Sequence, residues 1–183
     1  KHFMLKEIFE QPDRLVDTFR GRILMQEATI NLDKDIVDLK ANLAHKIYIV
    51  ACGTSYHAGL LGKYLIESAA RIPVEVEVAS EFRYRDLLIG ENDLFIAISQ
   101  SGETADTLAA LKLAKERGAK ILSICNVLDS SIPRLSDATL YTRAEPEIGV
   151  CSTKAFTTQI ASIMMLAIWL GREKNTLTKE KAR

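Results

Sequence analysis

The sequence lacks net charge, closely spaced cysteines and any apolar run long enough to cross a membrane. Lys plus Arg and Asp plus Glu both number 24, so no overall field draws the chain to nucleic acid or to an anionic membrane. The most apolar run, Ile160 to Leu170, is 11 residues long, against about 20 for a membrane-spanning helix. We therefore expect a soluble chain with a buried helix in this run, no nucleic-acid or membrane partner, and only local binding of any anion.

The cysteines argue against two further classes of protein, zinc-binding and disulfide-rich ones. Cys52, Cys125 and Cys151 are widely spaced, with neither C-x-x-C nor a Cys and His spacing suited to zinc. We expect no metal site, no disulfide framework and a reducing, cytoplasmic location. The charged start does not resemble a secretory signal. A chain that opens on Lys1 and closes on a charged stretch is typical of a piece of a longer protein.

Two common phosphate-binding motifs are also missing. No G-x-G-x-x-G follows a predicted strand, and no G-x-x-x-x-G-K precedes a Ser or Thr. Their absence disfavours dinucleotide and nucleoside triphosphate binding. We predict no cofactor.

Short apolar runs alternate with helical patterns along most of the chain. The predicted strands are Lys46–Ala51, Val74–Val78, Leu94–Ile98, Ile121–Cys125 and Ala138–Thr142. The predicted helices include one that ends near Ala70, one from Glu103 to a C-cap at Gly118, and one from Ser152 to Leu170. This alternation predicts an α/β fold: a three-layer, doubly wound, mostly parallel sheet of five strands in the flavodoxin-like order 2-1-3-4-5.

The same patterns divide the chain into three parts. Residues 1–45 are predicted to be a helical lead-in with Pro12 in a first helical turn. Residues 46–172 are predicted to form the α/β domain, and residues 173–183 a polar tail or linker. Val74–Val78 alternates apolar and acidic residues after a proline, which predicts an edge strand.

Two hydroxyl-rich loops follow the first and third predicted strands. Gly53-Thr54-Ser55 and Ser99-Gln100-Ser101-Gly102-Glu103-Thr104 each open a helix. In the predicted strand order these loops flank the crevice where open α/β sheets bind ligands. Helix N-termini offer free N–H groups and a positive dipole end, and glycine allows a close approach. We predict a phosphate site here; the alternative is that Ser and Thr only cap two helices.

A third loop, Glu147–Lys154, also leads from a predicted strand into a helix and could close the same pocket. Ser152 or Thr153 as an N-cap is the alternative. Lys154 could contact phosphate, but a solvated surface lysine is the ordinary expectation. Cys52 ends a strand beside the pocket and is expected to be a buried small residue instead of a nucleophile.

Several stretches of the sequence are more specific than a generic α/β pattern. They are Cys52–Ser55, Ser80–Tyr84, Ser99–Thr107, Glu147–Val150 and Ser152–Thr157. Together they closely resemble the glutamine–fructose-6-phosphate aminotransferase (isomerizing) family, also called glucosamine-6-phosphate synthases. The match runs over nearly the whole chain, in order, and corresponds to the first of two sugar-isomerase (SIS) lobes of the isomerase domain.

The resemblance implies a SIS lobe that binds fructose 6-phosphate or glucosamine 6-phosphate. It belongs to an enzyme that makes glucosamine 6-phosphate and glutamate from fructose 6-phosphate and glutamine. The residues carried over by motif are Ser99, Gln100, Ser101 and Thr104 for the phosphate, Gly53 and Ser55 beside them, and Thr54, Val150 and Ser152 for the sugar.

The resemblance also implies parts that this sequence does not contain. The family's glutaminase needs an N-terminal cysteine, and its isomerase uses a lysine, a glutamate and a histidine of the second lobe. Lys154 is not that lysine, so we expect no catalytic residue here and binding without turnover. The implied partners are the second SIS lobe, a glutaminase domain and a second copy of the chain, which would form a homodimer through the apolar closing helix.

Two other functions stay open at this point. One is a stand-alone phosphosugar isomerase that borrows residues across an oligomer interface. The other is a sugar-phosphate sensor of the SIS type, although the neutral lead-in shows no basic recognition helix.

Overall fold

The centre of the structure is a five-stranded parallel sheet. The structure, a computed structural model, describes residues 2–86 and 88–183. The strands are β1 (Ile23–Leu24), β2 (Thr29–Ile30), β3 (Ile47–Ala51), β4 (Val74–Val78), β5 (Leu94–Ser99), β6 (Lys120–Cys125) and β7 (Ala138–Tyr141). The sheet has the order β4-β3-β5-β6-β7, and every adjacent pair is parallel. This confirms the predicted α/β class and the order 2-1-3-4-5.

Helices cover both faces of this sheet. They are α1 (Phe3–Phe19), α2 (Lys34–Asp38), α3 (Gly53–Ala70), α4 (Ala79–Phe82), α5 (Ala105–Glu116), α6 (Ser131–Leu135), α7 (Lys154–Glu173) and α8 (Lys179–Ala182), with a 3-10 helix at Ala41–Leu43. One core cluster joins the sheet to α3 and α7, and a second joins it to α4, α5 and α6. The result is the predicted three-layer arrangement.

The burial of the strands agrees with their positions in the sheet. Every residue of β3 and of β5 is buried, as expected of central parallel strands covered on both faces. In β4 only Val74 is fully buried, and this strand lies at the edge of the sheet. The alternating pattern of β4 therefore predicted its position correctly.

The closing helix α7 belongs to the core of the domain. Within the described residues it alone is long and apolar enough to cross a membrane, yet 72% of its 18-residue apolar window is buried inside the domain. Ile163, Met165 and Trp169 are all almost completely buried. The predicted buried helix is confirmed.

The lead-in differs from the prediction in two ways. Pro12 lies inside α1 and not in a first turn. Proline cannot donate a hydrogen bond to the carbonyl four residues earlier, but Gln11 Nε2 donates to that Ile8 oxygen at 3.0 Å. Residues 23–30 form the antiparallel hairpin β1-β2, which a purely helical lead-in does not include.

Two helices begin two residues later than predicted. The helix predicted from Glu103 begins at Ala105, and the helix predicted from Ser152 begins at Lys154. The polar tail contains α8 and packs on α3, because Thr176 Oγ1 donates to the Ala69 carbonyl oxygen at 2.6 Å.

Gly171 marks a close approach of α7 to the end of α3. A Cβ at this position would lie 2.7 Å from the Ala69 carbonyl oxygen and 2.9 Å from Leu177 Cβ.

We expect Gly171→Ala to lower the free energy of unfolding by about 1–3 kcal/mol, although alanine is the better helix former by about 1 kcal/mol. Urea unfolding measures this. Gly90→Ala, whose Cβ would meet nothing within 4 Å, is the control; an unchanged Gly171→Ala protein would contradict the packing.

Candidate functional site

Strands β3 and β5 bring the two hydroxyl-rich loops to the same edge of the sheet. They pair in parallel from Ile47 with Leu94 to Ala51 with Ile98. Thr107 Oγ1 lies 3.9 Å from Cys52 Sγ, so the first turn of α5 contacts the end of β3. The chain leaves β3 for β4 on one side and returns as β5 on the other, which makes this the topological switch point where such sheets bind ligands.

The Ser99–Thr104 loop is braced by its own hydroxyl groups. Ser99 is buried, and its Oγ accepts the Gly102 N–H at 3.0 Å and lies 3.0 Å from Thr104 Oγ1. Ser101 Oγ accepts the Glu103 N–H at 3.2 Å. The loop shape is therefore set by local hydrogen bonds, with Ser99 pointing inward as its brace.

Gly102 is required by both the backbone and the packing of this loop. Its φ is +68°, in the left-handed region that disfavours residues with a Cβ. A Cβ there would lie only 1.9 Å from Ser130 Oγ. The Gly102 carbonyl also accepts the Ile132 N–H at 2.9 Å, which fastens the loop to α6.

Four of the helix N-termini at this edge, those of α3, α5, α6 and α7, fall into two groups. Glu103 Oε1 accepts the Ser131 N–H of α6 at 2.7 Å, and Glu147 Oε1 accepts the Thr153 and Ala155 N–H groups of α7 at 2.8 and 3.3 Å. Neither N-cap residue, Cys52 of α3 or Thr104 of α5, caps its helix, and no other side chain among the described residues accepts the first N–H groups of these two helices. Since the first N–H groups of a helix have no partner within the helix, α3 and α5 present free donors and positive dipole ends at the switch point.

The third loop is held by carboxylates. Ser152 Oγ donates to Glu147 Oε2 at 2.9 Å. Since Glu147 also accepts the first N–H groups of α7, the cap is Glu147, and the alternative of a Ser152 or Thr153 hydroxyl cap is not observed. Glu7 of α1 is buried, and its Oε1 accepts the Ile148 N–H at 2.6 Å. Val150 is fully exposed. The hydrogen bonds of the described residues thus tie Ser152 to Glu147 and not to the Ser99–Thr104 loop.

Residues 42–169 match the family model of the SIS domain. The chain belongs to the SIS domain family. The matched range contains every sequence-predicted site residue and the whole five-stranded sheet.

Relatives of this SIS domain are much longer proteins. The chain is 61% identical over 178 residues to glutamine–fructose-6-phosphate aminotransferase (isomerizing) of Bacteroides thetaiotaomicron, covering 96% of this chain and 29% of that protein. It is 54% identical over 185 residues to the same enzyme of Chlorobaculum tepidum, covering 100% of this chain and 30% of that protein. The chain thus spans about 30% of the length of the curated relatives that it matches.

A solved structure has the same fold as this chain. The C-terminal domain of glucosamine-fructose-6-phosphate aminotransferase from Francisella tularensis matches with a TM-score of 0.91 at 45% identity. The match covers 100% of this chain and 51% of that one. The SIS domain described here therefore corresponds in fold to about half of that C-terminal domain.

Lys154 of the SIS domain is not the solvated lysine expected from the sequence. It is almost fully buried, and its Nζ lies 2.7 Å from Glu10 Oε2. The Lys154 and Lys6 ammonium groups lower the pKa of Glu10, so this carboxyl stays ionised opposite Lys154. The expectation was wrong because the partner comes from α1, 144 residues earlier in the chain.

Two further residues contact the candidate site and were missed from the sequence. Asn126 follows β6, and its Oδ1 accepts the Thr142 hydroxyl at 3.1 Å and the Ala144 N–H at 2.7 Å. The Asn126 N–H also donates to the Gln100 carbonyl at 3.3 Å. Gln159 of α7 is buried, and its Nε2 donates to Ser55 Oγ at 3.0 Å. A polar residue directly after an apolar strand was the available signal for Asn126, whereas Gln159 lies in an apolar helix with no such signal.

Two thiols near this edge, Cys125 and Cys52, are buried and half-buried. Burial raises the pKa of Cys125 to about 12, which keeps it protonated at neutral pH. Cys52 is half-buried, and its contact is the Thr107 hydroxyl. Among the described residues no cluster of His, Cys, Asp and Glu could hold a metal ion.

A separate cavity lies beside the candidate site. It has a volume of about 700 Å³ and lies between α1 and the loops that follow β6 and β7, with Arg14, Asn126 and Arg143 in its wall. None of the sequence-predicted site residues lines it.

Substitution of the two site glycines separates backbone strain from packing. Gly53 has φ +55° and open space where a Cβ would lie, whereas Gly102 has φ +68° and the Ser130 clash. We expect Gly53→Ala to cost about 1–2 kcal/mol of unfolding free energy and Gly102→Ala about 3 kcal/mol or more. Urea unfolding of both variants measures the difference. Equal losses would show that Ser130 does not restrict the loop.

Proposed function

We propose that this SIS domain is the first lobe of the isomerase domain of a glutamine–fructose-6-phosphate aminotransferase, and that it binds the phosphate of the sugar. The observation that carries the proposal is the pair of uncapped helix N-termini, α3 and α5, side by side at the switch point. Free N–H donors and two positive dipole ends favour a dianionic phosphate. The identity to aminotransferases over nearly the whole chain supports this assignment.

The proposed phosphate ligands are the Ser99–Thr104 loop and the first turn of α3. Ser101, Thr104 and Ser55 are partly exposed, so their hydroxyls can reach a bound anion. Ser99 contributes as the buried brace that holds Gly102 and Thr104 in place. Gln100 stands between Ser99 and Ser101 in the sequence of this loop, and Gly53 and Thr54 supply N–H groups at the start of α3.

The sugar would extend from the phosphate toward the third loop. Val150 is fully exposed there, and Ser152 is held by Glu147. In the proposed enzyme the full reaction converts fructose 6-phosphate and glutamine to glucosamine 6-phosphate and glutamate. This lobe anchors and orients the substrate, and the catalytic groups are supplied by a second SIS lobe and a glutaminase domain outside the 183 residues. Three thiols without a disulfide among the described residues support a cytoplasmic location.

We also propose that the protein forms a homodimer. The closing helix, which the sequence suggested as the contact, is buried in its own domain. Instead, α1 turns Glu7 and Thr18 inward. It exposes Leu5, Phe9, Pro12 and Val16, at spacings of four, three and four residues that suit helix–helix packing.

Charge favours a second copy of α1 as the occupant of this stripe. Exposed Lys6 and Asp13 lie on the same flank of the stripe, before and after Phe9. An antiparallel second α1 would place each lysine near the partner's aspartate on the same side of the stripe, where opposite charges favour that orientation.

Binding of fructose 6-phosphate tests the phosphate site. We expect isothermal titration calorimetry to show binding, and Ser101→Ala with Thr104→Ala to weaken it by about tenfold or more, because two donors to a charged group are lost. Thr178→Ala removes a hydroxyl that caps the remote helix α8 and serves as the control. No binding by the wild-type protein even at millimolar sugar phosphate would refute the proposed function.

Substitution at the centre of the α1 stripe tests the dimer. Phe9 is 76% exposed, so Phe9→Glu should leave the fold intact and turn a dimer into a monomer in light scattering. Tyr64→Glu, at another exposed aromatic position, should remain dimeric. A wild-type protein that is monomeric at all accessible concentrations would rule out the proposed interface.

A further inference from the structure

Gln159 occupies an unusual place for an amide. It lies on α7, is 2% exposed, and faces the first turn of α3. Its Nε2 donates to Ser55 Oγ at 3.0 Å. Its Oε1 is buried and has no hydrogen-bond partner among the described residues.

The unpartnered oxygen argues against a purely structural role. A buried carbonyl without a donor destabilises the folded state, and an apolar side chain of the same shape would avoid this cost. The buried polar neighbours Thr158 and Ser162 on α7 both donate to backbone carbonyls of the helix, whereas the Gln159 oxygen has no partner. The cost of the unpartnered oxygen must be offset by the single hydrogen bond that the amide makes, the one to Ser55.

The contact determines what the Ser55 hydroxyl can do. A serine hydroxyl has one proton to donate and accepts through its lone pairs. Because Gln159 Nε2 donates to Ser55 Oγ, the hydroxyl accepts on that side, and its own proton is free to point elsewhere. No described residue accepts that proton in a hydrogen bond, and Ser55 lies in the uncapped first turn of α3.

We propose that Gln159 is a positioning residue that orients the Ser55 hydroxyl as a donor to the bound phosphate. The inference rests on the proposed function, since it assigns a ligand to the Ser55 proton. Gln159 itself lies behind Ser55, acts through it, and needs no contact with the ligand. Without the amide, the Ser55 hydroxyl could turn toward backbone acceptors of its own helix and donate less often to the anion.

A double-mutant cycle on Ser55 and Gln159 tests this, with the dissociation constant of fructose 6-phosphate as the readout. Gln159→Leu should weaken binding by about tenfold, the loss typical of one oriented hydrogen bond to a charged group. In the Ser55→Ala background the same substitution should change binding by less than about twofold, because its effect passes through the serine. Gln159→His, which can donate from a ring nitrogen, should recover most of the lost affinity.

Ser162→Ala is the matched control, because Ser162 is buried on the same helix and its hydroxyl donates to the Thr158 carbonyl at 2.8 Å. If Gln159→Leu does not fold, Gln159→Met replaces it, with similar length and good helix propensity. Equal losses with and without Ser55, or no rescue by histidine, would overturn the role of Gln159 while the phosphate site stands. Absence of wild-type binding would overturn both proposals.

Discussion

The parallel pairing of β3 with β5 is the constraint on which the candidate site depends. Every residue of both strands is buried, so their backbone N–H and carbonyl groups must pair with neighbouring strands to avoid unsatisfied buried groups. That requirement sets where each strand ends. It places the start of α3 beside the start of α5, and the contact between Cys52 and Thr107 follows. The hydroxyl-rich loops therefore meet because of the sheet and need no direct bond between them.

Carboxylates decide which helix N-termini remain available. Glu103 and Glu147 occupy the N-terminal donors of α6 and α7, and hydrogen bonds from Ser131 lower the pKa of Glu103, so that it stays ionised. A carboxylate at α3 or α5 would satisfy those donors equally well but would repel an anion. Asp106, in the first turn of α5, pairs with Arg83 at 3.0 Å and caps no N–H group of its helix. The N–H donors of α3 and α5 therefore stay available, whereas those of α6 and α7 are occupied.

The features that could be predicted from the sequence are those governed by local pattern. The apolar runs of β3 and β5 and the alternation of β4 predicted three neighbouring strands. Features that depend on distant partners could not be predicted in this way. Lys154 is buried because Glu10 pairs with it across 144 residues, and Pro12 is tolerated inside α1 because the Gln11 side chain supplies the missing donor. The hairpin β1-β2 has only two residues in each strand, too few to show a period.

The geometry of the site also limits its chemistry. Phosphate would be held at the edge of the sheet, while the reacting end of a sugar phosphate would extend toward the third loop, where Val150 is fully exposed. Glu7 fastens this loop to α1 through the N–H groups of Ile148 and Gly149. Group transfer needs a site that excludes water, and these residues leave one side open. Firm anchoring at one end and an open surface at the other is what a substrate-holding lobe needs when the reacting groups come from outside it.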